Sequence, residues 1–262
     1  MITAKFDTSG MQAALARNGR DFANSARQEM HDIGRLVAVS LATSAQPYGI
    51  SEGARKNGEA AVHRDIYRIY CTPGMVYGEI ANNGDVGAAK AFYKAMRTGG
   101  HGVAIGLIHA HAPKFSLVQI RAFDGGKLHK SRRNRRGRVP NSQKPLVLVT
   151  DPKALQRYVR AEQARVGFGK AGWANCAKAF REGRAATRGL PGWVTRHRDA
   201  PASAMVTSGE GNRLTIAMQN NVEYASYILT PSEKSRATQI GLYRFVQGAK
   251  IAAKHAAEQS RR

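Results

Sequence analysis

Residues 213–219, RLTIAMQ, and residues 231–258, PSEKSRATQIGLYRFVQGAKIAAKHAAE, are the most informative part of this chain for its fold. The first segment places Leu214, Ile216 and Met218 at every second position, which is typical of a β-strand. The second segment begins with a proline and repeats apolar residues at helical spacing, which predicts a long final helix. The side chains of this helix that are expected to face the core are Ile240, Tyr243, Val246, Ala249 and Ala253.

A second long helix is predicted at residues 11–44, near the start of the chain. Its apolar side chains recur every three or four residues and form a single stripe, and the segment QPYG at residues 46–49 ends it. The stripe consists of Phe22, Ala26, Met30, Ile33, Val37 and Leu41.

The region between these two helices mixes strand and helix patterns. Residues 53–58 are expected to form a polar loop, and residues 61–70 fit either a strand or a short helix. The other expected elements are strands at 115–123 and 145–150, and helices at 86–96, from Asp151 and Pro152 onward, and at 170–182, with Trp173, Cys176, Ala177 and Phe180 on one face. The predicted fold class is α+β, with long N- and C-terminal helices packed on a small, mostly antiparallel sheet and with an extended basic loop.

The composition excludes several broad classes of protein. The chain has 262 residues, a formal charge of +23 and a hydrophobic share of 42%, so it can bury a core and is not wholly disordered. Collagen, disulfide scaffolds and coiled-coil rods do not fit, and no apolar run approaches the roughly 18–20 residues that cross a bilayer. The start, MITAKFDTSG, does not resemble a secretory signal. Cys71 and Cys176 lie far apart, so free buried thiols in a reducing compartment are expected.

The positive charge is concentrated in the second half of the chain. Residues 1–120 hold 13 Lys/Arg against 9 Asp/Glu, whereas residues 121–262 hold 28 against 9. A local excess of this size attracts polyanions. The expected organisation is a helix-rich α/β half at 1–120, a basic loop or linker at 121–145 and an α+β half at 146–262.

The densest basic run is KLHKSRRNRRGR at residues 127–138, which holds seven Lys/Arg and no acid. Gly125 and Gly126 precede it and Pro140 follows it, so an extended, mobile loop is expected. Its cations are candidates for contact with nucleic-acid phosphates, without readout of bases. The alternative is a solvated loop that contacts nothing. The candidate residues are Lys127, Lys130, Arg132, Arg133, Arg135, Arg136 and Arg138.

Motifs for cofactor or metal binding are weak in this sequence. Residues 167–172, GFGKAG, match GxGxxG, but a predicted helix precedes them where a dinucleotide site requires a strand. His109 and His111 would share one face of a strand, yet no Cys, Asp or Glu lies within ten residues of them. We therefore expect no metal site and no cofactor.

Catalytic patterns are equally weak. Asp65, Glu79 and Asp124 are scattered among basic residues, where ion pairing is the simplest role for a carboxylate, and the chain lacks GxSxG. Trp173 and Trp193 are expected to anchor a core or an interface, with base stacking as the alternative. We therefore expect a protein that is not an enzyme.

Three short segments together resemble a known family. In NNVEYASYI, residues 220–228, a strand continues into an Asn-x-x-x-Tyr-Ala segment ahead of the final helix. VGFGKAGW at 166–173 and LPGWV at 190–194, followed by Arg196 and His197, complete the combination. It is similar to the tail-completion and head–tail connector proteins, the neck or minor tail proteins, of long-tailed bacteriophages. The resemblance makes the 146–262 half connector-like and extends more loosely to the first helix.

The resemblance implies a structural virion protein, present in the tail or neck of the particle and in the host cytoplasm during assembly. It implies a ring of identical subunits that completes the tail or neck at the head–tail junction. The neighbours would be a tail terminator, tail tube or connector protein, with no membrane. The basic loops would line a lumen and contact double-stranded DNA non-specifically. A stand-alone nucleic-acid-binding protein is the alternative, and a nuclease is disfavoured because the carboxylates that would hold its metal ions are dispersed.

Overall fold

The structure is a computed structural model that describes residues 2–6, 20–135, 137–181, 185–208, 214–223, 225 and 229–259. Helices and small sheets are combined in the described chain, which confirms the α+β class. The chain divides into unit 1, formed by Met1–Arg55 with Val166–Arg262, and unit 2, formed by Lys56–Arg165.

The strands and helices of the described residues are numbered separately in chain order. The strands are β1 Ile2–Phe6, β2 Tyr70–Cys71, β3 Gln119–Arg121, β4 Val147–Val149, β5 Ala202–Ser208 and β6 Leu214–Asn220. The helices are α1 Arg20–Ser44, α2 Glu52–Tyr67, α3 Pro73–Asn82, α4 Val86–Thr98, α5 His101–His111, α6 Lys127–Ser131, α7 Pro152–Ala164, α8 Phe168–Phe180, α9 Gly192–Thr195 and α10 Pro231–Gln259.

Unit 1 packs helices against an antiparallel sheet whose described strands follow the order β1–β6–β5. Ile2 pairs with Met218 on one side of β6, and Ala202 pairs with Asn220 on the other. Helix α8 lies against both this sheet and α1, and α10 packs on α1. The core between them includes Met30, Ile33, Val37, Leu41, Trp173, Cys176, Ala177, Phe180, Ile216 and Met218.

The apolar stripes predicted for α1 and α8 are confirmed by this core wherever the side chains are described. The side chains of Phe22 and Ala26, and residues 11–19 of the predicted first helix, lie outside the described residues. The strand predicted at 213–219 corresponds to β6, with Arg213 also outside the described residues. Cys176 is a free, buried thiol as expected, and so is Cys71 of unit 2.

The apolar face of α10 differs from the prediction. Ile240, Tyr243 and Val246 were expected to face inward, but they are 42%, 69% and 40% exposed. The side chains of Ala249 and Ala253 lie outside the described residues. The structure therefore leaves an apolar surface on this helix instead of burying it.

Small residues on the opposite face of α10 explain why its large apolar side chains are exposed. Among the side chains of α10 that the structure describes, the buried positions are Ala237 and Gly241, which lie one turn apart. A Cβ atom at Gly241 would lie 2.6 Å from Val37 Cγ2 and 3.2 Å from Ile33 Cγ2 of α1. The helices approach so closely along these positions that larger side chains are turned outward.

The segments that carry the family resemblance meet within unit 1. Gly167 has a φ of +97°, and a Cβ there would lie 2.8 Å from the ring of Trp193. A Cβ on Gly172 would overlap the side-chain amide of Asn220, whose Nδ2 donates to the Gly169 carbonyl at 2.7 Å. As predicted, a helix (α7) precedes the GFGKAG segment, and packing accounts for its glycines at Gly167 and Gly172.

Lys170 is fully buried in unit 1, and its side chain caps the C terminus of α1. Its ammonium group donates hydrogen bonds to the carbonyl oxygens of Ala42 at 2.9 Å, Thr43 at 3.1 Å, and Ala45. Carbonyls at a helix C terminus lack intrahelical donors, and the helix dipole favours a positive charge beside them. A single side chain therefore ties α8 to α1.

Unit 2 contains a parallel sheet whose described strands follow the order β2–β4–β3. Tyr70 of β2 and Gln119 of β3 both pair with Val147 of β4. The expectation of one small, mostly antiparallel sheet is corrected, because antiparallel pairing is found in unit 1 and parallel pairing in unit 2. Parallel strands need long connections, and α3, α4 and α5 supply the connection between β2 and β3.

Three local expectations also change. Residues 53–58 belong to helix α2, which the Ser51 hydroxyl caps by accepting from the Ala54 N–H at 3.1 Å. Residues 61–70 divide into the end of α2 and the start of β2. His109 and His111 lie on helix α5 and not on a strand, so they are not placed by strand alternation on a common face.

The two units do not coincide with the division at 1–120, 121–145 and 146–262 that the charge distribution suggested. Unit 2 is one continuous stretch, whereas unit 1 joins the two ends of the chain. Folding units follow the packing of apolar stripes, and surface charge does not mark their boundaries. None of the described helices combines the length and the apolar composition of a membrane span.

Candidate nucleic-acid interface

The basic segment, residues 127–138, lies in unit 2 and is folded where it is described. It begins as α6 and ends in a turn, where the Asn134 N–H donates to the Arg138 carbonyl at 2.9 Å and Asn134 Oδ1 accepts from the Arg138 N–H at 3.2 Å. Gly137 supplies a φ of +71° within this turn. The expectation of an extended loop is therefore corrected, because the described residues form a short helix and a turn.

Asp124 and Gly126 fix the start of α6. The carboxylate of Asp124 accepts hydrogen bonds from the Gly126 N–H at 2.9 Å and the Leu128 N–H at 3.0 Å, and the Tyr70 hydroxyl donates to it at 2.5 Å. Gly126 has a φ of +83°, and a Cβ there would overlap the Tyr158 ring. Burial acts to raise the pKa of Asp124, but these hydrogen bonds outweigh burial and lower it.

His129 is 1% exposed and lies at the centre of a polar cluster. Its Nδ1 is 2.9 Å from the Tyr158 hydroxyl oxygen and 3.3 Å from Nη2 of Arg133. Because a guanidinium group only donates, Nδ1 accepts and the neutral ring carries its proton on Nε2, which has no hydrogen-bond partner among the described residues. Burial and the charge of Arg133 lower the pKa of His129 to about 4.

Two arginines of the basic segment are held by nearly buried carboxylates. Arg133 Nη2 donates to Glu162 Oε2 at 2.9 Å, and Arg138 Nε donates to Asp65 Oδ2 at 2.7 Å. Asp65 also accepts from Arg68 at 2.8 Å. The side chains of Glu162 and Asp65 are only 12% and 6% exposed, so these charge-assisted hydrogen bonds attach the segment to α7 and α2.

The other described cations of the basic segment face solvent. They are exposed, and no ion pair is found for them within the part of the chain that the structure describes. These four residues, termed the exposed cations below, are Lys127, Lys130, Arg132 and Arg135. Arg136 lies outside the described residues, and Arg138 stays partly exposed beside Asp65.

The acidic side chains of unit 2 are engaged in its fold. Asp85 caps α4 and Asp151 caps α7, while Glu79 lies 3.9 Å from Lys114. The ion pairs expected for Asp65 and Glu79 are therefore confirmed, whereas Asp124 caps a helix instead. Unit 2 holds 20 Lys/Arg and 7 Asp/Glu, so its surface has an excess of positive charge.

Sequence reasoning identified the basic run but missed the groups that hold it. Tyr158 and Glu162 are four residues apart on the predicted helix, a spacing that places them on one face and could have indicated a shared partner. Nothing local signals that Asp65 binds Arg138, which lies 73 positions further along the chain. His129 gave no sign of burial because it sits among charged residues.

Histidines elsewhere in unit 2 form no comparable cluster. His111 Nδ1 lies 3.3 Å from Asp85 Oδ2, and His109 is exposed. No group of three or more His, Cys, Asp or Glu suited to a metal ion occurs among the described residues. What the basic segment offers chemically is a group of exposed cations on a folded backbone, which suits anionic groups.

Comparison with protein-family models, curated proteins and solved structures found no match for this chain.

Proposed function

We propose that this protein is a structural component of the virion of a tailed bacteriophage and contacts double-stranded DNA non-specifically through the basic segment. It would complete the tail or neck at the head–tail junction as the subunit of a ring. Its partners would be copies of itself and other neck or tail proteins. The DNA contact is supported by one observation above all, the folded presentation of the four exposed cations on a scaffold whose acids are already engaged.

The ordered state of the basic segment favours phosphate binding. A mobile loop loses about 1–2 kcal/mol of backbone entropy per residue when it is ordered on a ligand, whereas a folded segment has lost most of that entropy already. Lysine and arginine in this setting contact phosphates, which fix position without reading sequence. Sequence-neutral contact suits a protein that DNA passes.

Self-association is supported by the exposed apolar surface of α10. Ile240, Leu242, Tyr243 and Val246 are between 40% and 69% exposed within one short stretch of helix. Large apolar side chains in a continuous exposed group are typical of interfaces. In the proposed ring, this surface would be covered by a neighbouring subunit.

The DNA contact is tested by neutralising the exposed cations together. A variant with Lys127, Lys130, Arg132 and Arg135 replaced by alanine keeps the ion pairs of the basic segment, so we expect it to fold. Each phosphate contact contributes about −0.9 to the slope of log K against log salt for duplex DNA, so the slope should become shallower by up to about 3–4. Affinity is measured by fluorescence anisotropy from about 50 to 200 mM salt.

A matched control removes the same charge from unit 1. Its four substitutions to alanine are at exposed positions, namely Arg188, Arg198, Arg236 and Lys250. If both variants change the salt slope equally, only net charge matters and the proposed interface is wrong. The virion role is tested separately by producing particles from a phage genome that lacks this gene. Normal, infectious tailed particles would refute that role.

A further inference from the structure

Unit 2 has a second feature suited to anions, a cleft of about 680 Å³ lined by residues of α3 and α4. Tyr77 of α3 and Tyr93 of α4 contribute aromatic rings, and Lys90, Lys94 and Arg97 of α4 contribute cations. None of the described residues of the basic segment lines this cleft. Rings and cations in one concave site select ligands that combine a flat apolar group with negative charge.

The two tyrosines form an aromatic platform. Their ring centroids are 6.0 Å apart and the ring planes meet at 80°, so one ring presents its edge to the face of the other. Tyr93 is 46% exposed, while its neighbours Ala89 and Phe92 are buried in the core beneath α4. An exposed ring on a rigid helix can stack with a ligand without a large entropic cost.

The three cations form a row on the same helix. Lys90, Lys94 and Arg97 are spaced by four and three residues, which places them on one face, about 6 Å and about 4.5 Å apart along the axis. Helix α4 contains no Asp or Glu, and the carboxylate of Asp85 at its N terminus accepts the Ala88 N–H at 2.7 Å. No ion pair is found for the three cations among the described residues.

We propose that this cleft binds unpaired nucleotides of a single-stranded nucleic acid, with a base stacked on Tyr93 and the adjoining phosphates on Lys90, Lys94 and Arg97. Single-strand-binding proteins combine these two elements, because every unpaired base has a free π-face and every nucleotide a charge. Bases within a duplex are already stacked on each other and offer no such face. An acidic peptide would use the cations but not the rings.

The test uses the full-length protein, a fluorescein-labelled oligo(dT) of about 12 nucleotides and a duplex of the same length. Tyr93→Ala should weaken oligo(dT) binding at least about fivefold, because stacking on an aromatic side chain contributes 1–3 kcal/mol per base. It should leave duplex affinity unchanged. Tyr93→Phe should retain oligo(dT) binding because the ring is preserved. Tyr48→Ala is the matched control, because Tyr48 is 61% exposed outside the cleft.

The same measurements separate this site from the basic segment. In a variant whose exposed cations are replaced by alanine, oligo(dT) binding should be weaker but should still depend on Tyr93. Equal losses of single-strand and duplex affinity in Tyr93→Ala, with circular dichroism unchanged, would overturn the proposal. Displacement of oligo(dT) by oligoglutamate at equal charge concentration would overturn it in favour of an acidic peptide ligand.

Discussion

Replacing His129 with phenylalanine should make the free energy of unfolding depend less on pH under acidic conditions. The buried ring stays neutral in the folded state until the pH approaches about 4, because burial and Arg133 lower its pKa from 6.5. In the unfolded chain the same ring takes up a proton below pH 6.5. The unfolded state therefore binds more protons than the folded state between these two pH values, and stability falls as the pH falls through this window.

The magnitude follows from the same two values. A pKa lowered from 6.5 to about 4 corresponds to about 3 kcal/mol of stability lost between pH 6.5 and 4. At neutral pH, His129→Phe loses the hydrogen bond to the Tyr158 hydroxyl, which costs about 1 kcal/mol. The variant should thus be less stable than the wild type at pH 7 and more stable at pH 4, so the two curves should cross.

Urea denaturation followed by far-UV circular dichroism, repeated from about pH 7.5 to 4, measures both curves. Trp173 and Trp193, the two tryptophans of the chain, both belong to unit 1, so tryptophan fluorescence follows that unit separately. His109→Phe, at an exposed position of unit 2, is the matched control for replacing a histidine with a phenylalanine. A free-energy difference between the wild type and His129→Phe that stays constant across this pH range would show that protonation of His129 does not control the acid sensitivity of the fold.

Three further predictions concern unit 1. Lys170→Met should lower the free energy of unfolding by about 2 kcal/mol in urea denaturation, because three carbonyl oxygens at the end of α1 lose their donor. Gly172→Ala, usually stabilising within a helix, should instead cost about 1–3 kcal/mol because the added methyl overlaps Asn220, whereas Gly192→Ala meets nothing within 4 Å and should be neutral by the same assay. Tyr243→Glu should abolish self-association in sedimentation velocity at unchanged circular dichroism, and an unaltered oligomer would rule out the α10 surface as the interface.

Helices with strong apolar periodicity could be predicted from the sequence. The stripes of α1 and α8, and the Asp151 cap of α7, were found because local spacing alone determines which face a core requires. The face of α10 could not be predicted in this way. The contact of Gly241 with α1 depends on a partner helix about 200 residues away, so the close approach that turns Tyr243 outward has no local sign.

The fold of the basic segment could not be predicted from local sequence either, because it depends on ion pairs with distant residues. A run of like charges with glycine and proline beside it is typical of a solvated loop, and local sequence contains no opposing signal. The acids that order this run come from distant positions, Asp65 on α2 and Glu162 on α7. The number of charges in a segment predicts that it attracts anions. It does not show whether distant acids form ion pairs with its cations.

Neighbouring arginines of the basic segment therefore have different roles despite equal charge. Arg132 is exposed, so its loss would remove one cation of the proposed interface and little else. Arg133 pairs with Glu162 and lies against His129 Nδ1, so its loss leaves a carboxylate of 12% exposure without its partner and alters the setting of a buried ring. If Arg132 and Arg133 were replaced in one variant, weaker binding and lower stability could not be told apart. Arg133 and Arg138 are used to hold the basic segment on α7 and α2, so the proposed interface consists of the cations that have no such role in the fold.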